Sequence, residues 1–248
     1  VPFEPPGPVE RAERIAAGAT AIYLMFNEGY AATGEGAHVR APLCEEAIRL
    51  VRVVLRLFPG EPELLGLGAL VLLQHARARA RLDQDGAIVL LEDQDRALWD
   101  RDLVAEGLAL LDKAIRHAQP GPYQVQAAIA AIHSRAPRFE DTDWAEIEAL
   151  YATLERLQPS PVVTLNTAVA VSPVRGPQAA IDTIAPLAQA LSGYFYFFGV
   201  RGALLLELGR ADEAREAFNR ALALAHSPAE AAHIRMQIDR LAERRGNK

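Results

Sequence analysis

Apolar residues recur every three to four positions along nearly the whole chain, the spacing that places them on one face of an α-helix. Proline and glycine interrupt this spacing, and long stretches of strand-like alternation are absent. Pro42, Pro62, Pro122 and Pro161 lie at or near the starts of apolar segments, where a missing N–H breaks no helical hydrogen bond. We therefore predict an all-α fold, with helices over residues 9–33, 42–58, 62–82, 97–118, 121–135, 143–157, 161–173, 177–191, 194–208, 211–225 and 228–245.

The last part of the chain carries a repeat. In "VRGALLLELGRADEAREAFNRALALAHSP", the small residues Gly202, Ala214 and Ala221, the turn residue Gly209 and the aromatic Phe218 have the spacing of a tetratricopeptide repeat. Small side chains are needed where the two helices of such a hairpin cross closely. The segment is therefore predicted to be a pair of helices within a stacked array.

The same scheme occurs one period earlier. Moving back 34 residues gives Ala168, Ala180 and Ile184, two small positions and a large one as in the last repeat, and Leu187 at the position of Ala221. We predict a helical-hairpin array with tetratricopeptide-like repeats over residues 119–248, continuous with an N-terminal helical layer over residues 9–118. Residues 1–8, "VPFEPPGP", are predicted to be a stiff, proline-rich linker from a preceding part of a longer chain.

The stretch "RLDQDGAIVLLE" departs from the helical pattern. Asp83, Asp85, Gly86 and Glu92 fall at the third, fifth, sixth and twelfth positions of a calcium-binding EF-hand loop. Arg81 occupies the first position, where the loop needs a carboxylate, so we do not expect a metal site. The interpretation that we favour is a short inserted β-hairpin near residues 80–91, with its turn at "DQDG".

Residues 92–99, "EDQDRALW", are densely charged. Paired carboxylates act as general acid and base when their environments separate their pKa values, but the sequence shows no cleft that would do so. The arginines of the preceding "HARARAR" offer counter-charges for an ion-pair clasp that fixes the hairpin to the helices, and the indole ring of Trp99 could cover that pair. We therefore expect a clasp first and a contact surface second. The candidate residues are Arg77, Arg81, Glu92, Asp93, Gln94, Asp95, Arg96 and Trp99.

A second unusual stretch is "YLMFNEGYAAT" in the first predicted helix. Asn27 and Glu28 interrupt an apolar run next to Tyr30, so polar groups are expected near the core. Two interpretations stay open. The polar groups cap or bond a neighbouring helix end, or they form a contact surface.

Composition narrows the possible functions. A net charge of −6 does not provide the basic surface that phosphate contacts require, so nucleic acid is not an expected ligand of this chain. The single cysteine, Cys44, cannot form an internal disulfide. Zinc spacings and glycine-rich phosphate loops are absent, and no apolar run approaches the roughly 20 residues needed to cross a bilayer. We expect no catalytic site, metal or cofactor, no membrane contact, and a cytoplasmic location.

Several blocks of the chain together resemble a known family. The blocks are "IYLMFNEGYAAT", "EAIRLVRVVLRLFPGEPELLGLGALVLL", "ARLDQDGAIVLLEDQDRALWDRDLVAEGLALL", "GPYQVQAAIAAIHS", "DTDWAEIEALY" and "PSPVVTLNTAVAV". In this order they are similar to the long C-terminal extension of one group of extracytoplasmic-function (ECF) bacterial RNA polymerase sigma factors, which belong to the sigma-70 family. The resemblance covers almost the whole chain.

The resemblance implies a fold, partners and residues. In that family the extension follows promoter-recognition regions 2 and 4, ends in tetratricopeptide-like repeats and is implicated in controlling sigma activity. The implied partners are sigma regions 2 and 4 of the same full-length chain and the RNA polymerase core, together with a YCII-like (DGPF) protein encoded nearby. Beyond the candidates above, the blocks match at Gly121, Pro122, Tyr123, Gln124, Asp143, Trp144 and Asn166.

Three functional hypotheses remain at this point. The leading one is a regulatory and protein-interaction domain of an ECF-type sigma factor that controls transcription initiation without a reaction of its own. The second is a small-molecule sensor or enzyme with a pocket near Asn27, Glu28 and residues 92–99. The third is a peptide-binding adaptor that uses its C-terminal repeats.

Overall fold

The protein is all-α, as predicted. The structure, a computed structural model, describes residues 7–31 and 37–246, so most of the predicted linker over residues 1–8 lies outside the described residues. The helices are α1 Pro8–Ala31, α2 Ala37–Leu57, α3 Pro62–His75, α4 Arg101–Ile115, α5 Pro122–Arg135, α6 Trp144–Leu157, α7 Pro161–Arg175, α8 Pro177–Ile184, α9 Phe195–Glu207, α10 Ala211–Leu224 and α11 Pro228–Gly246. Within this part of the chain, no helix combines the length and apolar composition needed to cross a membrane.

The segment between α3 and α4 differs from the sequence prediction. Helix α3 ends at His75 rather than near residue 82, and the predicted strands of the hairpin are not formed in the part of the chain described. A single antiparallel bridge joins Leu82 to Ile88. The carboxylate of Asp83 accepts hydrogen bonds from the backbone N–H groups of Asp85 and Ala87, at 3.0 and 2.8 Å. This side chain closes the turn locally, and the chain then enters a 3-10 turn instead of extending the ladder.

The chain divides into two compact units. The first comprises Val1–Arg77 and Asp100–Ala131, and the second comprises Ala78–Trp99 and Ile132–Lys248. The segment Ala78–Trp99 therefore groups with the second unit, whereas the sequence placed it in the N-terminal layer. The reason is a set of contacts, described below, between this segment and the end of α5.

The first unit is organised around α3. Every residue of α3 from Leu64 to Leu73 is buried, which explains why the helix is apolar all round. The carboxylate of Glu63 accepts hydrogen bonds from the backbone N–H groups of Tyr123 and Gln124, at 3.0 and 3.2 Å. It thereby caps the first turn of α5, whose N–H groups have no partner within their own helix. A Cβ at position 121 would lie 2.2 Å from the Glu63 carboxyl carbon, so any other residue there would displace the capping carboxylate.

The second unit contains helix pairs joined by short turns. Helix α9 turns into α10 through Gly209, whose φ of +72° suits glycine. The positions that the sequence repeat selected lie in the core: Ala168, Ala180, Ala214 and Ala221 are fully buried, and Phe218 is 1% exposed. Where α9 crosses α10, the ring of Phe218 packs directly on Gly202. The helices approach this closely because position 202 has no side chain.

Substituting Gly202 tests that close approach. An added Cβ would stand 2.5 Å from Cε1 of Phe218, so the Gly202→Ala variant must displace the ring. We expect a loss of about 1–3 kcal/mol in the free energy of unfolding, measured by urea denaturation. Gly199→Ala on the same helix is the matched control, since its Cβ would meet nothing closer than Ile234 at 4.0 Å. That control should be neutral or more stable by up to about 1 kcal/mol, because alanine favours helix. Equal stability of the two variants would contradict the packing.

Candidate functional site

A single arginine anchors the segment Ala78–Trp99. The Nη1 of Arg96 donates hydrogen bonds to two backbone carbonyl oxygens at the end of α5, those of His133 and Ala136, the second at 2.9 Å. Carbonyl groups in the last turn of a helix have no partner in that helix and carry its partial negative charge. The guanidinium therefore acts as a cap that comes from a distant part of the sequence.

Trp99 completes the anchor. Its indole ring is 6% exposed, and the guanidinium carbon of Arg96 lies 4.6 Å from the ring centroid. This geometry is a cation–π contact, which stabilises a partly desolvated arginine. The sequence predicted a clasp in which Trp99 covers an ion pair. The contacts found are between Trp99, Arg96 and backbone carbonyls.

The other side of the segment is acidic and open. Glu92, Asp93 and Asp95 are exposed. Asp95 also accepts a hydrogen bond from the backbone N–H of Ala97 at 2.9 Å, and the Gln94 amide donates to the carbonyl of Val89 at 3.2 Å. These local bonds hold the backbone in one conformation. The segment thus has an anchored side and a carboxylate-bearing side.

Two other candidates meet within the first unit. The hydroxyl of Tyr30 donates to Oε1 of Gln74 at 2.9 Å and accepts from Nη2 of Arg77 at 2.8 Å. The Tyr30 ring also stacks on buried Phe26, at 5.4 Å between centroids. Glu28 is exposed and Asn27 is half-buried on the same helix. Arg77 therefore links α1 to α3 in the first unit, because it donates to both Tyr30 and Gln74.

A cavity of about 530 Å³ lies within the second unit. Its walls come from the segment Ala78–Trp99, the last turn of α5 and helices α6, α7 and α9. Three residues selected from the sequence line it, namely Glu92, Trp144 and Asn166. The sequence did not identify the other polar or aromatic lining residues, which are His133, Phe139, Tyr151, Ser172 and Glu207.

An aromatic cluster forms one wall of the cavity. The ring of Trp144 packs edge-on against those of His133 and Phe139, with centroid distances of 5.3 Å in both cases. Trp144 is the first residue of α6, and the carboxylate of Asp143 fixes that helix start by accepting the N–H of Glu146 at 2.9 Å. The residue pair "DW" therefore caps α6 and places its indole on the cavity.

Glu92 and Glu207 give the cavity its charge. Burial, and then the charges of Asp93 and Glu207, raise the pKa of Glu92, while Arg240 opposes this shift. Glu207 is the last residue of α9 and accepts a hydrogen bond from the hydroxyl of Ser172 at 3.2 Å. Two carboxylates from distant parts of the sequence therefore act on each other at one cavity.

The remaining block residues have structural positions. Gly121, Pro122, Tyr123 and Gln124 form the start of α5 that Glu63 caps. Arg81 lies in the second unit, close enough to Tyr196 for its charge to oppose the rise in the pKa of that phenol. Among the side chains that the structure describes, no three from His, Cys, Asp or Glu are grouped as metal ligands would be.

Removing the anchor should loosen the segment. In the Arg96→Met variant the carbonyls of His133 and Ala136 lose a charged donor, and we expect a loss of about 2–3 kcal/mol in the free energy of unfolding. Urea denaturation measures this loss, and limited proteolysis should cleave Ala78–Trp99 faster. Arg79→Met is the control, since Arg79 is exposed, and its stability should stay within about 0.5 kcal/mol. If both variants unfold alike, Arg96 is not the anchor.

The charge of Glu92 should lower stability near neutral pH. Because the folded-state pKa of Glu92 lies above its ordinary value of 4.5, its contribution to stability is lost as the pH rises through that pKa. Glu92→Gln should therefore melt at a higher temperature than the wild type at neutral pH, and this difference should vanish in acid.

Glu213 supplies a control of opposite sign. A hydrogen bond from Arg210 lowers the pKa of Glu213, so its charge stabilises the fold above the ordinary value and this contribution is lost in acid. Glu213→Gln should therefore melt at a lower temperature than the wild type at neutral pH. Melting curves between about pH 4 and pH 8 measure both effects. A lower melting temperature for Glu92→Gln at neutral pH would show that the charge of Glu92 does not destabilise the fold.

Comparison with known proteins gives two matches. Residues 14–115 match the model of a family described as "Family of unknown function (DUF6596)". The chain is also similar to an uncharacterized protein of Rhizobium meliloti (strain 1021), with 65% identity over 242 residues. That match covers 98% of this chain and 57% of the relative, so the chain spans little more than half of the relative's length.

Proposed function

We propose that the chain is a regulatory and protein-interaction domain of an ECF-type sigma factor, acting in the cytoplasm to control transcription initiation, with no reaction of its own. One observation carries the proposal. The segment that contributes the acidic block of the family resemblance is anchored by Arg96, so that its carboxylates are exposed on a fixed backbone. Such a surface suits a basic partner.

The acidic surface consists of Glu92, Asp93 and Asp95, all exposed. Regions of a sigma factor that bind DNA carry basic residues, and opposite charges speed encounter and select the partner. We propose that this surface docks on sigma regions 2 and 4 or on the polymerase core. Docking would shift the factor between a promoter-competent and an inactive arrangement, since a domain acts on such an equilibrium by binding its states unequally.

The helix pairs of the second unit support a scaffolding role. We infer that α7–α8 and α9–α10 are two tetratricopeptide-like repeats. Equivalent positions are buried in both pairs, with Ala168 and Gly202 on the first helices and Ala180 and Ala214 on the second. Arrays of this kind commonly present surfaces to proteins, and a YCII-like (DGPF) protein is one such proposed partner. The inserted hairpin near residues 80–91 is part of this proposal, and the bridge between Leu82 and Ile88 supports it.

A transcription assay with RNA polymerase and the longer Rhizobium meliloti relative tests the proposal. Core RNA polymerase with the full-length relative should start transcripts at defined promoters of the genomic DNA, as shown by mapping their 5′ ends. Deleting the part that matches this chain should change this activity at least about fivefold, in either direction. A catalytically inactive core enzyme is the background control. If the full-length relative directs no promoter-specific initiation, the proposal fails.

A variant that lacks two of the three carboxylates tests the docking surface. Asp93→Asn with Asp95→Asn keeps the shape of the segment, because asparagine also caps the turn that Asp95 caps. Binding of this chain to the polymerase core, or to the rest of the relative supplied separately, should weaken about fivefold or more and should depend less on salt concentration. Glu213→Gln with Glu216→Gln removes the same charge elsewhere and should leave binding within about twofold. Equal binding of both variants would assign docking to another surface.

A further inference from the structure

The cavity of the second unit has a divided chemistry. Its interior is apolar and includes the buried residues Ile147, Ala170 and Leu204. Its two carboxylates, those of Glu92 and Glu207, belong to exposed residues and so lie where the cavity meets solvent. Among the described residues that line it there is no lysine or arginine. An occupant would need an apolar body and a positive group at one end.

Charge and ring contacts point the same way. The charge of Glu207 acts on Glu92, so the two carboxylates repel each other at the cavity, and Arg240 offsets this only in part. A cation between them would remove the repulsion. The rings of Phe139, Trp144 and Tyr151 also line the cavity, and aromatic faces attract organic cations.

We propose that this cavity binds a small organic cation, a primary amine with an aliphatic or aromatic body. The body lies against Trp144 and Leu204, and the ammonium group lies between the carboxylates of Glu92 and Glu207. The volume of about 530 Å³ falls within the range of ordinary small-molecule sites. This inference goes beyond the proposed sigma-factor role and does not depend on it.

Three compounds of equal size separate charge from shape. The probes are 3-phenylpropylamine, 3-phenylpropan-1-ol and 3-phenylpropanoate, which share one body and carry an ammonium, a hydroxyl and a carboxylate group. Calorimetric titration and thermal shift of the whole chain should show binding of the amine. The alcohol should bind about tenfold more weakly or worse, and the acid should bind least. Equal or tighter binding of the alcohol or the acid would overturn the proposal, as would no binding of the amine.

Variants locate the amine. Glu207→Gln and Glu92→Gln should each weaken amine binding about three- to tenfold and leave the weak binding of the alcohol unchanged. Glu216→Gln, an exposed glutamate on α10, is the matched control and should bind as the wild type does. Ala203→Phe places a ring in the cavity from α9 and should abolish binding of both compounds. Unchanged affinity in both carboxylate variants would place the amine elsewhere and defeat the inference.

A peptide arm distinguishes a protein partner. A lysine-rich peptide should bind no more tightly than 3-phenylpropylamine if the cavity is a small-molecule site. Binding of the peptide, together with no binding of the amine, would assign the cavity to a protein partner and overturn the proposal. Because this result concerns the cavity alone, it is distinct from loss of promoter-specific transcription by the relative.

Discussion

The second unit depends on the placement of one guanidinium. A charged group that leaves water must be fully hydrogen-bonded, or its desolvation costs several kcal/mol, on the order of the stability of a whole domain. Nη1 of Arg96 donates to the carbonyl oxygens of His133 and Ala136, and the guanidinium lies over the face of Trp99. The two carbonyl oxygens are available in only one place, the open end of α5. The requirement therefore fixes where the segment Ala78–Trp99 lies.

Two properties of the segment follow from this fixed position. Leu90, Leu91 and Glu92 of the segment line the cavity, and its Asp93 and Asp95 are exposed. A flexible acidic loop would present the same charges, but it would lose conformational entropy on binding, and this loss would weaken the affinity for any partner. A backbone that is already ordered binds with less entropy loss. The hydrogen bonds of Arg96 thus position both the cavity wall and the proposed docking surface.

Helical periodicity predicted most of the fold, and it predicted little of the site. Proline starts and apolar spacing placed most helices within a few residues of their observed bounds, because these signals are local. Two positions differ more: α8 ends at Ile184 rather than at residue 191, and Pro42 lies inside α2 rather than at its start. The end of α3 at His75 was missed, since the apolar pattern continues beyond it while the chain turns away. The repeat also found the buried small residues, such as Ala180 and Ala214, because close packing restricts those positions to small side chains.

The residues of the cavity could be predicted only in part. Glu92, Trp144 and Asn166 stood out within quoted blocks, whereas Glu207 resembles any glutamate near the end of an amphipathic helix. What distinguishes Glu207 is that its charge acts on the carboxylate of Glu92, more than a hundred positions earlier in the chain. No local sequence pattern encodes this proximity. The choice of partners for Arg96 was equally invisible. The sequence gives no sign that the Arg96 side chain reaches backbone oxygens 37 and 40 positions further along the chain.

The cap that Glu63 provides for α5 has a consequence for how the chain folds during synthesis. The carboxylate of Glu63 accepts a hydrogen bond from the N–H group of Tyr123, which lies 60 residues later in the chain. Glu63 therefore leaves the ribosome first. When the start of α5 emerges, its acceptor is already present on α3. Slow exchange of the amide protons of Tyr123 and Gln124 with solvent therefore reports that α5 has docked on α3. Early protection of these two amides during folding would show when the first unit forms.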